Sequence, residues 1–307
     1  MNKMNWRNSI AILALGLSST FTFAQSNLLN AKTPDQIGKK TDAELSADND
    51  KPLPYGYVHD RDILMGKRIW EVIDLDERVN FPLYFPVDTA NIGKDRRSLF
   101  DVLIKEIKSG KITEVYYDDY FNSKKSLKDM KSSFTFIDTT NAGREEINTY
   151  YDDYKSGKKV LDAQYIDKRE LGAIDVTGYK IKGYWYFDKR QGEMKYRLLG
   201  ICPVAPEARE VGAENPDVIE LFWIYFPATR DVLHEWTAFN NVNSAMPITF
   251  DHLLNSRRFS GVIYKEENVY GDRQIQEYMK DNALNQLLES ERVKEKIRNF
   301  EQDMWNY

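Results

Sequence analysis

Histidine is the usual side chain for acid–base catalysis and metal binding near neutral pH, and this chain of 307 residues contains only three. His59 opens the run HDRD, which groups nitrogen and oxygen atoms that could bind a metal ion. His234 precedes Glu235 without an evident nucleophile nearby, and His252 stands alone. Zinc sites need further ligands at a characteristic spacing, and the sequence offers none. We predict surface or capping roles for all three histidines, with no metal ion and no cofactor.

Other sequence patterns that carry catalysis are also missing. The sequence has no G-x-S-x-G hydrolase elbow, no G-x-x-x-x-G-K-[ST] phosphate loop and no G-x-G-x-x-G. The run YYDDY occurs at 116–120 and at 150–154, without the D-x-D-x-D-G pattern of a calcium loop. We interpret both runs as solvated turns beside aromatic strand ends. The single cysteine, Cys202, lies in an apolar, strand-like run and is predicted to be a buried small hydrophobe.

The composition is that of an ordinary globular protein. Apolar residues make up 42% and charged residues 30% of the chain, which excludes a collagen, a coiled coil or a disordered chain. With a net charge of −5, the chain lacks the excess of basic residues that is typical of a nucleic-acid-binding protein. The 19 tyrosines are unusual, and such aromatic enrichment favours a half-buried sheet or a contact surface.

The first 24 residues are typical of a secretory signal peptide. Lys3 and Arg7 precede an almost wholly apolar run at 10–17, and small residues stand at the −3 and −1 positions of a cleavage site before Gln25. The apolar run is too short for a membrane span, and no later stretch is apolar enough for one. We predict an exported, soluble protein whose single cysteine forms no internal disulfide.

The sequence after the signal peptide divides into a leader and a structured part. Residues 25–54 are polar and contain three prolines, which favours an extended or disordered leader. Residues 55–307 carry the periodic patterns of an α+β domain. The polar, tyrosine-rich stretch near 125–172 marks a possible subdivision of that domain.

The periodic patterns predict mainly antiparallel strands with flanking helices. The segment 60–79 fits either a helix or a strand. Ser98 and Asp101 form a capping-box-like pair that opens a helix ending before Gly110. The turn at 189–192 indicates a β-hairpin between its flanking strands. The remaining predictions are strands at 112–117, 175–187, 194–204, 218–226 and 232–238, a short helix at 249–255, and a long C-terminal helix from Asp272 to about Asp303.

Four blocks of the sequence resemble the GldN family, also called PorN, of gliding motility and type IX secretion in Bacteroidetes. The first is PLPYGYVHDRDILMGKRIWEVIDLDERVNFPLYFP, residues 52–86, which is long and specific. The other blocks are residues 96–121, 180–206 and 221–240, so the resemblance covers most of the chain after the leader.

The resemblance implies a periplasmic, non-enzymatic building block. GldN-like proteins associate with an outer-membrane lipoprotein, GldK or PorK, in a large ring under the outer membrane. The resemblance further implies that this ring meets the periplasmic part of the GldL–GldM motor complex. The family supplies no catalytic residues to assign to this chain. The alternative function is an envelope hydrolase that uses unidentified carboxylates or a histidine.

Aromatic residues are the candidates for partner contact, because closed rings need repeated subunit contacts and such surfaces favour tyrosine. The candidates are Tyr55 and Tyr57 beside the leader, and Tyr116, Tyr117 and Tyr120 in the first YYDDY run. The other interpretation, which stays open, is that these rings pack on the protein's own core. The leader could also order on binding and act as a docking arm.

Overall fold

The computed structural model describes residue 33 and residues 51–88, 96–212, 216–240, 248–280 and 282–305. The predicted signal peptide, residues 1–24, and the predicted leader up to residue 50, apart from residue 33, lie outside the described residues. Residues 51–59 have no regular secondary structure. The contacts described below lie within the unit that begins at Pro52.

The protein is an α+β fold built on an antiparallel sheet, as predicted. The strands are β1 Ile63–Asp74, β2 Thr135–Thr139, β3 Ile166–Glu170, β4 Gly178–Asp188, β5 Glu193–Pro206, β6 Val218–Glu220, β7 Ile224–Tyr225, β8 Thr237–Ala238, β9 Ile248–Thr249 and β10 Val262–Glu266. The main sheet has the order β10-β1-β4-β5-β6, and β7 also pairs with β5. Two small sheets pair β2 with β3 and β8 with β9.

The helices lie between and after these strands. They are α1 Phe81–Tyr84, α2 Leu99–Lys108, α3 Leu127–Phe134, α4 Asn141–Thr149, α5 Tyr151–Lys155, α6 Phe226–His234, α7 Phe250–Asn255, α8 Ile275–Tyr278 and α9 Ala283–Trp305. The second YYDDY run, interpreted as a solvated turn, lies mostly in helix α5, so that interpretation is wrong. The stretch 125–172 contains three helices and a two-stranded sheet. The possible subdivision near 125–172 stays a prediction.

The ambiguous segment after His59 is a strand. A short 3₁₀ turn at Asp60–Asp62 is capped by His59, whose Nδ1 accepts a hydrogen bond from the Arg61 N–H. β1 then lies between β4 and β10 and pairs antiparallel with both. β1 contains three Ile, one Val and one Trp, residue types that suit a pleated surface packed on both faces.

The hairpin of β4 and β5 is also confirmed. Gly192 has a φ of +67° in the turn between them, a conformation that glycine adopts without a steric cost. Directly opposed residues share one face of an antiparallel sheet. Ile73 and Tyr179 are opposed, and both belong to the main core with side chains of α2, α6 and α7. Trp70 and Lys182 are opposed on the other face.

Two predicted strands are wrong. Residues 112–117 form no strand, and only isolated bridges join Tyr116 to Lys124 and Trp223. Residues 226–234 form helix α6, so the strand predicted at 232–238 is reduced to the two residues of β8. Pro227 lies in the first turn of α6, where a proline costs no hydrogen bond. The single strand predicted at 218–226 is split into β6 and β7 by residues 221–223, and it ends at Tyr225 because α6 begins at Phe226.

The long C-terminal helix begins later than predicted. Asp272 has a φ of +59° and does not cap it, and the short helix α8 precedes α9. Helix α9 packs on its own chain, because Val293 and Ile297 are buried against the sheet residues Ile69 and Ile263. The Ile263 N–H also donates to Ser290 Oγ at 2.9 Å.

Ser98→Ala is expected to lower the free energy of unfolding by about 1 kcal/mol. Ser98 Oγ accepts from the Asp101 N–H at 3.3 Å at the start of α2. The alanine side chain has no acceptor that could replace it. Urea unfolding followed by circular dichroism measures the change. Ser98→Thr keeps the hydroxyl and should restore most of the loss; equal destabilisation by both variants would contradict a capping role.

Candidate functional site

The first YYDDY run lies in a loop, residues 114–124, that we call the tyrosine loop. Tyr116 and Trp223 exchange two backbone hydrogen bonds, of 2.8 and 2.9 Å. The Asp118 carboxylate accepts from three backbone N–H groups of the loop, those of Tyr120, Asn122 and Ser123, at 2.9 to 3.2 Å. These bonds give the loop a defined shape over the second face of the sheet.

A buried aromatic cluster attaches the loop to that face. Trp70 and Trp223 are fully buried and pack with Tyr116 and Cys202. Phe121 closes over Gly200 of β5, where a Cβ atom would lie 2.7 Å from the Phe121 ring. Glycine at position 200 therefore permits the close approach. Cys202 is buried as predicted, and burial raises the pKa of its thiol, which opposes a nucleophilic role.

Two lysines of the main sheet, Lys182 in β4 and Lys265 in β10, bind the tyrosine loop. Nζ of Lys182 lies 4.9 Å from the Trp70 ring centroid and 4.3 Å from that of Tyr120, and Nζ of Lys265 lies 4.2 and 4.9 Å from the same rings. Both amino groups also hold Asp119: Lys182 donates to its carbonyl at 2.7 Å, and Lys265 to its carboxylate at 2.8 Å. Lys182 is only 4% exposed, and this burial lowers its pKa.

Tyr120 connects the tyrosine loop to a second loop at 267–273. Its hydroxyl donates to Asp272 Oδ2 at 2.7 Å. Burial and this hydrogen bond raise the pKa of Tyr120, so its hydroxyl stays protonated. Asn268 orders the second loop, because its Oδ1 accepts from the Tyr270 N–H while its own N–H donates to Asp272.

Large apolar side chains are displayed on these two ordered loops. Val269 is 92% and Tyr270 74% exposed on the second loop, while Tyr117 and Tyr120 are 50% and 41% exposed on the tyrosine loop. We call these four residues the loop surface. Tight loops that present apolar groups to solvent are candidates for protein contact.

The structure distributes the predicted contact residues over two places. Tyr116 is only 8% exposed and packs mainly in the core. Tyr117 and Tyr120 belong to the loop surface. Tyr55 lies elsewhere, with Arg197 and Arg230 over its ring, and Tyr57 is 78% exposed beside His59. A role in partner contact stays a prediction for each of them.

The three histidines occupy different elements. His59 caps the turn before β1, His234 ends α6, and His252 is an exposed residue of α7. Across residues 51–88, 96–212, 216–240, 248–280 and 282–305, no three His, Cys, Asp or Glu side chains are placed to hold a metal ion.

Sequence reasoning missed the residues that organise the loop surface, namely Trp70, Lys182, Lys265 and Asp272. The available signal was Lys182 itself, a charged residue in the aromatic strand that became β4. A lysine in a strand that is buried on both faces needs a hydrogen-bond or charge partner on the face where its side chain lies. Nothing local in the sequence indicated that Lys265 would join it.

Glu267→Gln is expected to destabilise the protein at neutral pH by less than about 1 kcal/mol, because its ion pair is partly exposed. The hydrogen bond from Arg68 holds the pKa of Glu267 below its ordinary value of 4.5. A lowered carboxyl pKa adds stability above pH 4.5, and that stability is lost as the pH falls through the folded-state pKa. Urea unfolding of both proteins at neutral and acid pH should show the difference vanish in acid; a difference independent of pH would contradict it.

Taken with the fold, this site defines a class of protein: an α+β domain whose antiparallel sheet carries helices on one face and ordered, aromatic loops on the other, suited to contact with other proteins. The chain belongs to the GldN family, since a sequence model of that family, described as gliding motility associated protein GldN, matches residues 58–306. A comparison with curated proteins gave no match.

Family membership makes the chain a component of the gliding motility and type IX secretion machinery, which is associated with the cell envelope. The family is a structural component of that machinery and is not a known enzyme family. In the part of the chain that the structure describes, none of the helices is both long enough and apolar enough to cross a bilayer.

Proposed function

We propose that the protein is a non-enzymatic periplasmic subunit that assembles with a GldK-like outer-membrane lipoprotein into a large ring. It lies at the inner face of the outer membrane through that lipoprotein, and its ring meets the periplasmic part of a GldM-like motor protein. Membership of the GldN family supports this proposal, as does the signal-peptide pattern at 1–24. The observation that carries it is the loop surface, which displays Val269 and Tyr270 on a hydrogen-bonded scaffold.

A ring subunit needs two different contact surfaces, because each copy meets its neighbours in a head-to-tail manner. A second exposed apolar set lies at the start of α9. Leu284, Leu287 and Leu288 are 63%, 44% and 58% exposed, and their i, i+3, i+4 spacing places them on one helical stripe. This stripe and the loop surface are the two candidate surfaces for ring contacts.

Co-purification with the candidate lipoprotein tests the assembly. The chain without its signal peptide is purified alone and with the lipoprotein, and both preparations are imaged by negative-stain electron microscopy. We expect large rings only when the partner is present. A chain that stays monomeric with its partner would contradict the proposal, and a search for a substrate of an envelope hydrolase would follow.

Variants of the loop surface test which face makes the contact. Val269→Ser and Tyr270→Ser together are expected to weaken assembly at least tenfold, since exposed aromatic anchors often contribute more than 1.4 kcal/mol to binding. Val160→Ser is the matched control, because Val160 is 82% exposed in the separate 125–172 stretch. Normal assembly of the double variant would show that the loop surface does not make the contact.

A further inference from the structure

A groove at one end of the sheet contains an arginine, Arg197, that has no acidic partner among the described residues. Its volume is about 290 Å³, and it lies between residues 53–58, which we call the anchor segment, and side chains of β4, β5 and α6. The lining includes Tyr55, Tyr186, Lys195, Arg197 and Arg230. The groove therefore combines aromatic rings with several positive charges.

Most of these charges are already neutralised. Arg230 binds both carboxylate oxygens of Asp251, at 2.7 and 3.1 Å. The other two ion pairs are Arg190 with Asp62 at 3.1 Å and Lys195 with Asp188 at 3.7 Å. Arg197 has no carboxylate within ion-pair distance among the residues that the structure describes. The groove thus carries one positive charge that no carboxylate in the described part of the chain neutralises.

Arg197 is fixed in position, yet its donors are largely unused. Its guanidinium lies 4.4 Å from the Tyr55 ring centroid and 5.9 Å from that of Tyr186. One Nη donates to the Gly56 carbonyl at 3.3 Å, and the buried Nε has no protein acceptor in the described chain. A guanidinium has five N–H donors, so the Nη groups of Arg197 can still donate to an acceptor in the groove.

We propose that this groove binds a carboxylate group of an extended peptide, with Arg197 donating to it through both Nη atoms. Carboxylate geometry matches the guanidinium fork, and such charge-assisted pairs are among the strongest hydrogen bonds in proteins. The volume is at the small end for ligand pockets and fits one side chain or a chain terminus.

The anchor segment shows how the groove holds extended polypeptide. The carbonyls of Gly56 and Tyr57 accept from Arg197 and Arg190, the latter at 2.9 Å. The Tyr55 hydroxyl donates to Asn255 Oδ1 at 2.8 Å. One wall of the groove is therefore itself a peptide held by arginines. The proposal does not depend on ring assembly, because the groove is complete within one chain.

Short synthetic peptides are the probes, and they separate the two sources of a carboxylate. One peptide carries an internal glutamate and an amidated C-terminus, a second has a free C-terminus and no acidic side chain, and a third is neutral and amidated. Binding is followed by calorimetry and by the NMR signal of the Arg197 Nε–H, which reports on the site in the wild-type protein. We expect saturable shifts with the first or second peptide and none with the third.

Arg197→Gln is expected to weaken carboxylate-peptide binding by about tenfold or more, the loss typical of a charge-assisted hydrogen-bonded pair. Arg298→Gln is the control, since it removes the same charge from the exposed face of α9. The proposal is overturned if the Arg197 signal does not move with any acidic peptide. It is also overturned if the neutral peptide binds equally well, or if inorganic phosphate binds and the peptides do not.

Discussion

Replacing Arg257 by methionine is expected to lower the free energy of unfolding by about 3–5 kcal/mol. Glu71 of β1 is 1% exposed, and Arg257 Nη2 donates to both of its carboxylate oxygens, at 3.0 and 2.9 Å. Removal of the guanidinium leaves this carboxylate in a low-dielectric interior without its charge partner. The loss is a large part of the 5–15 kcal/mol that is typical of a folded domain.

Methionine retains the apolar stem of Arg257, so the variant tests the charge more than the volume. The guanidinium also lies 4.3 Å from the Tyr196 ring and 5.3 Å from that of Trp185, which adds a smaller cation–π contribution. Urea unfolding measures the change. The double variant Glu71→Leu/Arg257→Met should recover most of the loss, because neither charge is then left buried alone.

Arg298→Met is the control for the Arg257 variant. Arg298 pairs with Glu295 at 3.4 Å, and both side chains are at least 60% exposed. Its removal is expected to change stability by less than about 1 kcal/mol. If Arg257→Met lowers the free energy of unfolding no more than Arg298→Met does, the buried ion pair does not stabilise the contact between β1 and the segment before β10.

Local signals in the sequence predicted the elements whose structure is decided locally. Ser98 and Asp101 mark the start of α2, and Gly192 marks the β4–β5 turn, because each acts through groups a few residues away. The start of the strand predicted at 232–238 was wrong, because residues 226–234 form the single helix α6. Phe226 and Leu233 are fully buried in the main core, and tertiary packing of those side chains selects the helix.

The candidate site was predictable only in part for a related reason. The two YYDDY runs were visible, and the first provides Tyr117 and Tyr120 of the loop surface. The partners of Tyr120 come from distant parts of the chain: Lys182 from β4, and Lys265 from β10. Their meeting depends on β10 pairing with β1, where Trp70 is opposed to Lys265. No short-range pattern encodes that pairing.

Trp70→Ala is expected to cost about 3–5 kcal/mol, as is typical for the truncation of a large buried aromatic side chain. The Trp70 side chain is fully buried, and it supports both lysines that hold Asp119. Its removal leaves a cavity between the sheet and the tyrosine loop, and it takes away one of the rings that face each ammonium group. The variant should therefore loosen the loop as well as lower global stability.

Two measurements separate these effects. Urea unfolding gives the global change, and hydrogen exchange at the amides of Tyr116 and Tyr117 reports on the loop. The Tyr117 N–H donates to the Ser123 carbonyl within the loop, and the Tyr116 N–H donates to the Trp223 carbonyl outside it. Faster exchange is expected at these amides under conditions where the variant remains folded. Trp305→Ala is the control. Trp305 is 72% exposed, and its replacement should change the free energy of unfolding by no more than about 0.5 kcal/mol.

The same pair of variants connects the core to the proposed assembly. Trp70 is buried and cannot touch a partner, whereas Tyr117 and Tyr120 are displayed on the loop that it supports. If the loop surface makes the ring contact, Trp70→Ala should weaken assembly with the lipoprotein while Trp305→Ala should not. Normal assembly by a folded Trp70→Ala protein whose loop exchanges rapidly would show that the order of the tyrosine loop is not needed for the contact.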